Sequence, residues 1–114
     1  MNILFNRFPG GKTKALTLSY DDGVQQDRRF IQKLNEYGLK GTFHLNSGFL
    51  GKNSCIEKEE VSSLYAGHEV SVHTVLHPNL AEAPVERVVY EIMEDQTKKG
   101  VTPPFIWLLG HPSV

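Results

Sequence analysis

The sequence predicts an α/β domain in which short parallel strands are joined by helices. Three observations predict it. Strand-like runs alternate along the chain with stretches of helical apolar period, the βαβ pattern. Glycines follow the helical stretches at Gly38, Gly67 and Gly100, where C-caps fall. Two of the strand-like runs end directly in chemistry-bearing residues, one in Asp21-Asp22-Gly23 and the other in His73-Thr74-Val75-Leu76-His77-Pro78.

Taken in order, residues 1–13 form a leading segment around Pro9-Gly10-Gly11, and residues 14–114 form the domain. Phe5 and Phe8 are placed against the sheet. Ala15 to Tyr20 reads as a buried strand, with Leu16, Leu18 and Tyr20 alternating with Thr17 and Ser19. Gly23 permits a sharp turn out of it. Asp-Gly also suits a two-residue hairpin, but no strand-like run follows Gly23. The segment from Gln25 to Tyr37 reads as a helix with Phe30, Ile31, Leu34 and Tyr37 on one face. Asp27 reads as a first-turn acid favoured by the helix dipole.

Lys40 to Leu45 is the second strand, with Thr42 and His44 on one face and Phe43 and Leu45 on the other. His44 lies near a strand end and reads as a hydrogen-bonded structural histidine. A polar loop follows from Asn46 to Ile56. Glu57 to Ala66 is a second helix, with Val61, Leu64 and Tyr65 inward and acids at its start. His68 precedes the third strand, Glu69 to Val72, at the end opposite His73. It therefore reads as structural, bonding across the bottom of the sheet. After a loop, Pro84 opens a third helix running to Lys99. Its stripe of Val85, Val88, Val89, Ile92 and Met93 reads as core. Thr102 to Leu109 reads as a fourth strand.

Composition narrows the function. The 114 residues suit one small domain, against ~250 for an ordinary (β/α) barrel. A net charge of −1 argues against a nucleic acid or an anionic membrane held by bulk charge. Cys55 is the single cysteine, so no internal disulfide forms, and it reads as a small loop residue without a role. No apolar run approaches the ~18 residues that cross a membrane. Met1 to Arg7 lacks the features of a secretory signal, which gives a cytoplasmic expectation.

The two strand ends carry the chemistry. Ligands in sheets with helical crossovers sit beyond the carboxyl ends of strands, where both motifs fall. Two histidines four apart can share one side of a helical turn and reach one metal ion. A carboxylate from the first strand end completes a set of two histidines and one carboxylate. That set leaves positions open for water and substrate, as catalytic zinc or another divalent metal requires.

These residues resemble a known family. Thr17-Leu18-Ser19-Tyr20-Asp21-Asp22-Gly23, Gly41-Thr42-Phe43, Gly67-His68-Glu69-Val70 and His73-Thr74-Val75-Leu76-His77-Pro78 are similar to the motifs of polysaccharide deacetylases, carbohydrate esterase family 4. The resemblance covers Lys14 to Glu94. It implies a parallel-stranded partial (β/α) barrel, about half of the full barrel, and removal of N-acetyl groups from an acetylated oligo- or polysaccharide. It implies one divalent metal ion, zinc, on Asp22, His73 and His77, with Asp21 as general base and water on the metal as nucleophile. Thr74 is carried over as a residue that bonds the backbone or a sugar acetyl. The family's downstream arginine, its proline–tyrosine pair and the histidine serving as general acid have no counterpart here. That departure suggests a truncated or frameshifted reading frame, with an unpaired sheet edge open to self-association. His111 is the one downstream histidine, outside any family motif. Two alternatives stay open: an inactive fragment that binds metal or glycan, and the same fold acting on another small amide or cyclic ureide.

Overall fold

The computed structural model describes residues 6–99. Its elements are β1 (Ser19–Asp21), α1 (Asp27–Glu36), β2 (Thr42–Leu45), α2 (Val61–Leu64), β3 (Glu69–Val72) and α3 (Val85–Lys99). Among the described residues the strands form one parallel sheet in the order β1-β2-β3. The alternation of strands and helices read from sequence is thus the architecture, and Asp22-Gly23 makes no hairpin. The expected fourth strand from Thr102 to Leu109, the Gly100 cap, Phe5 and His111 lie outside the described residues.

Register sorts the sheet into two unlike faces. Asp21 pairs with His44 and His44 with Ser71, while Tyr20 pairs with Phe43 and Phe43 with Val70. Alternation then puts Ser19, Asp21, Thr42, His44, Glu69 and Ser71 on a polar face. That face is tied by Ser19 Oγ against His44 Nε2 at 2.7 Å and by Thr42 Oγ1 donating to Glu69 at 2.6 Å. The other face is apolar and carries the core. Phe43 and Leu45 are fully buried there with Ile31, Leu34, Ile56, Val61 and Tyr65. Phe43 is the hub, its ring 4.9 Å from Tyr65 and 5.9 Å from Tyr20.

β1 is shorter than the sequence suggests, and it is exposed. Leu16 is 72% exposed and Tyr20 37%. The physical reason is pairing. β2 starts at Thr42, whose N–H bonds Leu18 O, so residues before Leu18 have no ladder partner. Phe8, expected on the sheet, is also exposed.

α1 follows the expectation closely. Ile31 and Leu34 are buried, Phe30 packs beside them, and the C-terminus closes as a Schellman motif at Gly38. Leu39 N–H bonds Leu34 O and Gly38 N–H bonds Asn35 O, with Gly38 at φ +65°. Tyr37 is the exception, exposed at the last turn instead of inward. Asp27 sits in the first turn, as expected of a capping acid, but it is buried and accepts a 2.6 Å bond from the Tyr65 hydroxyl. Burial pushes its pKa up while that hydrogen bond pulls it down. The second helix begins as a 3-10 turn, Lys58–Glu60, closed by a capping box between Glu57 and Glu60. Val61 and Tyr65 are buried below it.

His68 does what its position predicted. Gly41 N–H donates to its Nδ1 at 3.1 Å, and its Nε2 bonds Asn35 Oδ1 at 2.8 Å. It thereby joins β2, β3 and α1 at the end of the sheet away from His73.

α3 corrects the sequence reading. Val85, Val89 and Met93 are exposed, and Val88 and Ile92 only half-buried. The buried face is Glu91, Asp95 and Lys99. The helix turns its polar face inward because unpaired backbone N–H groups beyond β2 and β3 need acceptors, and a valine offers none. No described helix is long and apolar enough to cross a membrane.

Candidate functional site

Three strand ends converge at one edge of the sheet. β1 delivers Asp21 and Asp22, β2 delivers Asn46, and β3 delivers His73. Asp22 departs from extended geometry at φ +75°, followed by Gly23 at φ +64°. This left-handed step re-aims Asp22, so that adjacent acids reach one neighbour. Asp21 Oδ2 lies 3.9 Å and Asp22 Oδ1 3.6 Å from His73 Nε2.

The strained turn is pinned on each side. Asp22 N–H donates to His44 O at 2.8 Å, and Ile56 N–H donates to Gly23 O at 2.9 Å. The Cys55 thiol donates to Asp22 O at 3.4 Å. Cys55, read from sequence as having no role, is thus buried support for this backbone. Burial, with Asp22 and Asp27, pushes its pKa up, which favours the neutral thiol. A Cβ at Gly23 would sit 2.9 Å from Leu45 Cδ2, so the turn needs glycine for space as well as for φ.

The histidine segment is a loop, not the helical turn suggested by the four-residue spacing. Thr74 at φ +71° and His77 at φ +54° are both left-handed. Together with Asp22 they are three of the five non-glycine residues with positive φ among the described residues. Such conformations persist only where the surroundings over-determine them. Here Asn46, fully buried, donates through Nδ2 to the carbonyls of His73 and Thr74. Gly48 N–H donates to Val75 O at 3.0 Å. His77 N–H donates to Thr74 Oγ1 at 3.0 Å, so Thr74 engages the backbone of its own loop. Asn46 was missed in the sequence, where a single amide after a strand end carries no pattern.

The result is a compact cluster. One ligand atom each from Asp22, His73 and His77 lies within 4.8 Å of the others. The two imidazole rings are 4.7 Å apart, centre to centre. Asp22 Oδ1 and His73 Nε2 are buried and neither has a hydrogen-bond partner. These two atoms face each other at 3.6 Å, and with His77 they could hold one shared cation. Burial pushes the His73 pKa down, with Asp21 and Asp22 pulling the other way, which favours the neutral imidazole. Asp21 stands beside the cluster, its side chain 46% exposed. His44 approaches, its ring 5.9 Å from His73, but its Nε2 is taken by Ser19.

The sequence profile of the polysaccharide deacetylase family matches residues 9–109. The chain belongs to this family. Two solved structures share its fold. One is a peptidoglycan N-acetylglucosamine deacetylase in complex with 4-naphthalen-1-yl-N-oxidanyl-benzamide, 24% identical at a TM-score of 0.59, covering 73% of this chain and 38% of that one. The other is a family 4 carbohydrate esterase from Bacillus anthracis, 17% identical at a TM-score of 0.62, covering 73% and 40%. The chain therefore spans about two fifths of the length of these deacetylase-fold structures.

Proposed function

We propose that this chain is a metal-dependent hydrolase that removes N-acetyl groups from an acetylated glycan. The observation that carries the reading is the pair of buried, unpartnered atoms Asp22 Oδ1 and His73 Nε2, 3.6 Å apart with His77 beside them. Two imidazoles and one carboxylate suit a divalent ion, and zinc is the ion we assign. When bound, zinc supplies Lewis-acid charge that activates water and polarises the acetyl carbonyl.

The remaining steps belong to side chains. Asp21, its side chain 46% exposed, takes the proton as water attacks the carbonyl carbon and passes it to the amine nitrogen as the C–N bond breaks, releasing acetate and the free amino sugar. Thr74 accepts from His77 N–H and keeps its hydroxyl proton, which we assign to the acetyl oxygen of the sugar. His44, buried against Ser19, takes no part in this scheme. N-acetylglucosamine in a glycan is the substrate to try first, since a structural neighbour is a peptidoglycan N-acetylglucosamine deacetylase.

The test is acetate release from acetylated chitooligosaccharides and from peptidoglycan. Release with zinc, its loss on chelation and its return on adding zinc back are expected. Zinc-loaded protein that frees no acetate, yet hydrolyses small ureides, would move the reading to a different amide.

A further inference from the structure

The inward face of α3 consists of three ionisable residues. Of their four hydrogen bonds to strand and loop backbone, three go to the segment of β3 and its following loop that carries His73 and His77, and the fourth goes to Ser47 after β2. Asp95 uses both carboxylate oxygens. Oδ1 accepts from Ser47 N–H at 2.6 Å, and Oδ2 accepts from His73 N–H at 3.0 Å. Glu91 Oε2 accepts from Leu76 N–H at 2.9 Å, one residue before His77. Lys99 Nζ donates to Ser71 O at 2.9 Å and to Asp95 Oδ2 at 2.5 Å. Glu91 and Asp95 are fully buried and Lys99 nearly so.

Stability alone is a poor reason for such a face. Buried ion pairs seldom out-stabilise well-packed apolar residues of similar size. The same helix carries apolar residues as well, and Val85, Val89 and Met93 lie on its other face, away from the sheet. The arrangement does supply acceptors on one rigid helix for backbone donors on two separate loops. Each acid also has its cation, Lys99 for Asp95 and Arg87 for Glu91, so the charges are matched. The loop it grips contains Thr74 and His77 in left-handed conformations that need external support.

We propose that Glu91, Asp95 and Lys99 are positioning residues that hold the His73–His77 loop in its ligating shape, so that docking of α3 and metal binding are coupled. The proposal rests on the metal-site reading above for its second half only. Coupling is reciprocal: if α3 shapes the metal site, metal must in turn stabilise α3.

The test uses the whole chain as wild type, Asp95→Asn, Glu91→Ala and Glu91→Gln. Asparagine has one carbonyl oxygen, so it cannot serve Ser47 N–H and His73 N–H together. Glutamine keeps an oxygen for Leu76 N–H and acts as the conservative rescue. In metal-free protein, the amides of His73 and Leu76 should exchange slowly in wild type and Glu91→Gln. They should exchange faster in Asp95→Asn and Glu91→Ala respectively. Zinc affinity by calorimetry should fall about 10–100-fold in those two variants. The visible spectrum of the cobalt-loaded form should change with it, and zinc should slow exchange along α3 in wild type. Unchanged exchange at both amides would overturn the anchoring. Changed exchange with unchanged zinc affinity and cobalt spectrum would overturn the coupling. Wild-type protein that binds no zinc through His73 would instead sink the metal-site reading, while the metal-free exchange still judges the anchoring.

Discussion

Asp21→Asn is expected to lower acetate release by ~10²–10⁴-fold while zinc affinity stays within a few-fold of wild type. The two acids differ in their surroundings. Asp22 has a buried, unpartnered oxygen facing His73, which suits a ligand. Asp21 Oδ2 stands farther from the same nitrogen, at 3.9 Å, and Asp21 falls outside the Asp22–His73–His77 cluster, which suits proton transfer to and from substrate; the two side chains are almost equally exposed, at 46% and 48%. Asparagine preserves the shape of the side chain and removes its ability to take a proton. The comparison is therefore between turnover and metal affinity in one variant. Loss of zinc in Asp21→Asn would make Asp21 a ligand, and unchanged turnover would remove it from the chemistry.

Gly48→Ala is the second large effect, and it acts without touching a reacting group. A Cβ there would lie 2.5 Å from Val75 O, 2.7 Å from Leu76 Cδ2 and 3.1 Å from Val75 Cγ1. Gly48 N–H already bonds Val75 O, and Val75 is buried, so neither side can move away cheaply. The histidine loop must shift instead. Overpacking of this kind costs about 1–3 kcal/mol of stability. A displacement near 1 Å at the ligands costs on the order of 10²-fold in rate. Gly48 has no left-handed φ, so the effect belongs to the methyl group and not to backbone strain. A thermal melt and a zinc titration of Gly48→Ala check both halves. A variant indistinguishable from wild type in melting and zinc affinity would mean that the loop is not held where Gly48 meets it.

The parts of this protein that were legible in the sequence are those where one local pattern decides one local structure. Alternating residues and capping glycines specified the βαβ order, because each strand and helix is read from its own few residues. Asp21, Asp22, His73 and His77 stood out because they follow directly on strand ends, and the fold brings strand ends together. His68 could be set apart from His73 by the same polarity argument.

What stayed hidden depends on partners far along the chain. The apolar period of α3 is real, yet its buried face is Glu91, Asp95 and Lys99. The deciding factor is the set of backbone donors at Ser47, His73 and Leu76, which periodicity cannot register. Leu16 alternates like a buried strand residue but lies before the first residue that β2 can pair. Asp22 and His77 are of types that enter the left-handed region more often than most, and Thr74 of a type that seldom does, but none of the three signals the step by itself, so the loop shape that gathers the candidate ligands was invisible. Asn46 and Cys55 matter through the carbonyls they meet, which only the folded chain brings near.

On the proposed reading, Asp22, His73 and His77 form one metal site. Calorimetric titration of zinc into the chelator-stripped chain, with His73→Ala and Asp22→Ala alongside, tests it most directly. One zinc per chain, lost in both variants, is the predicted result. Absence of binding in wild type, or binding that survives both substitutions, would contradict it.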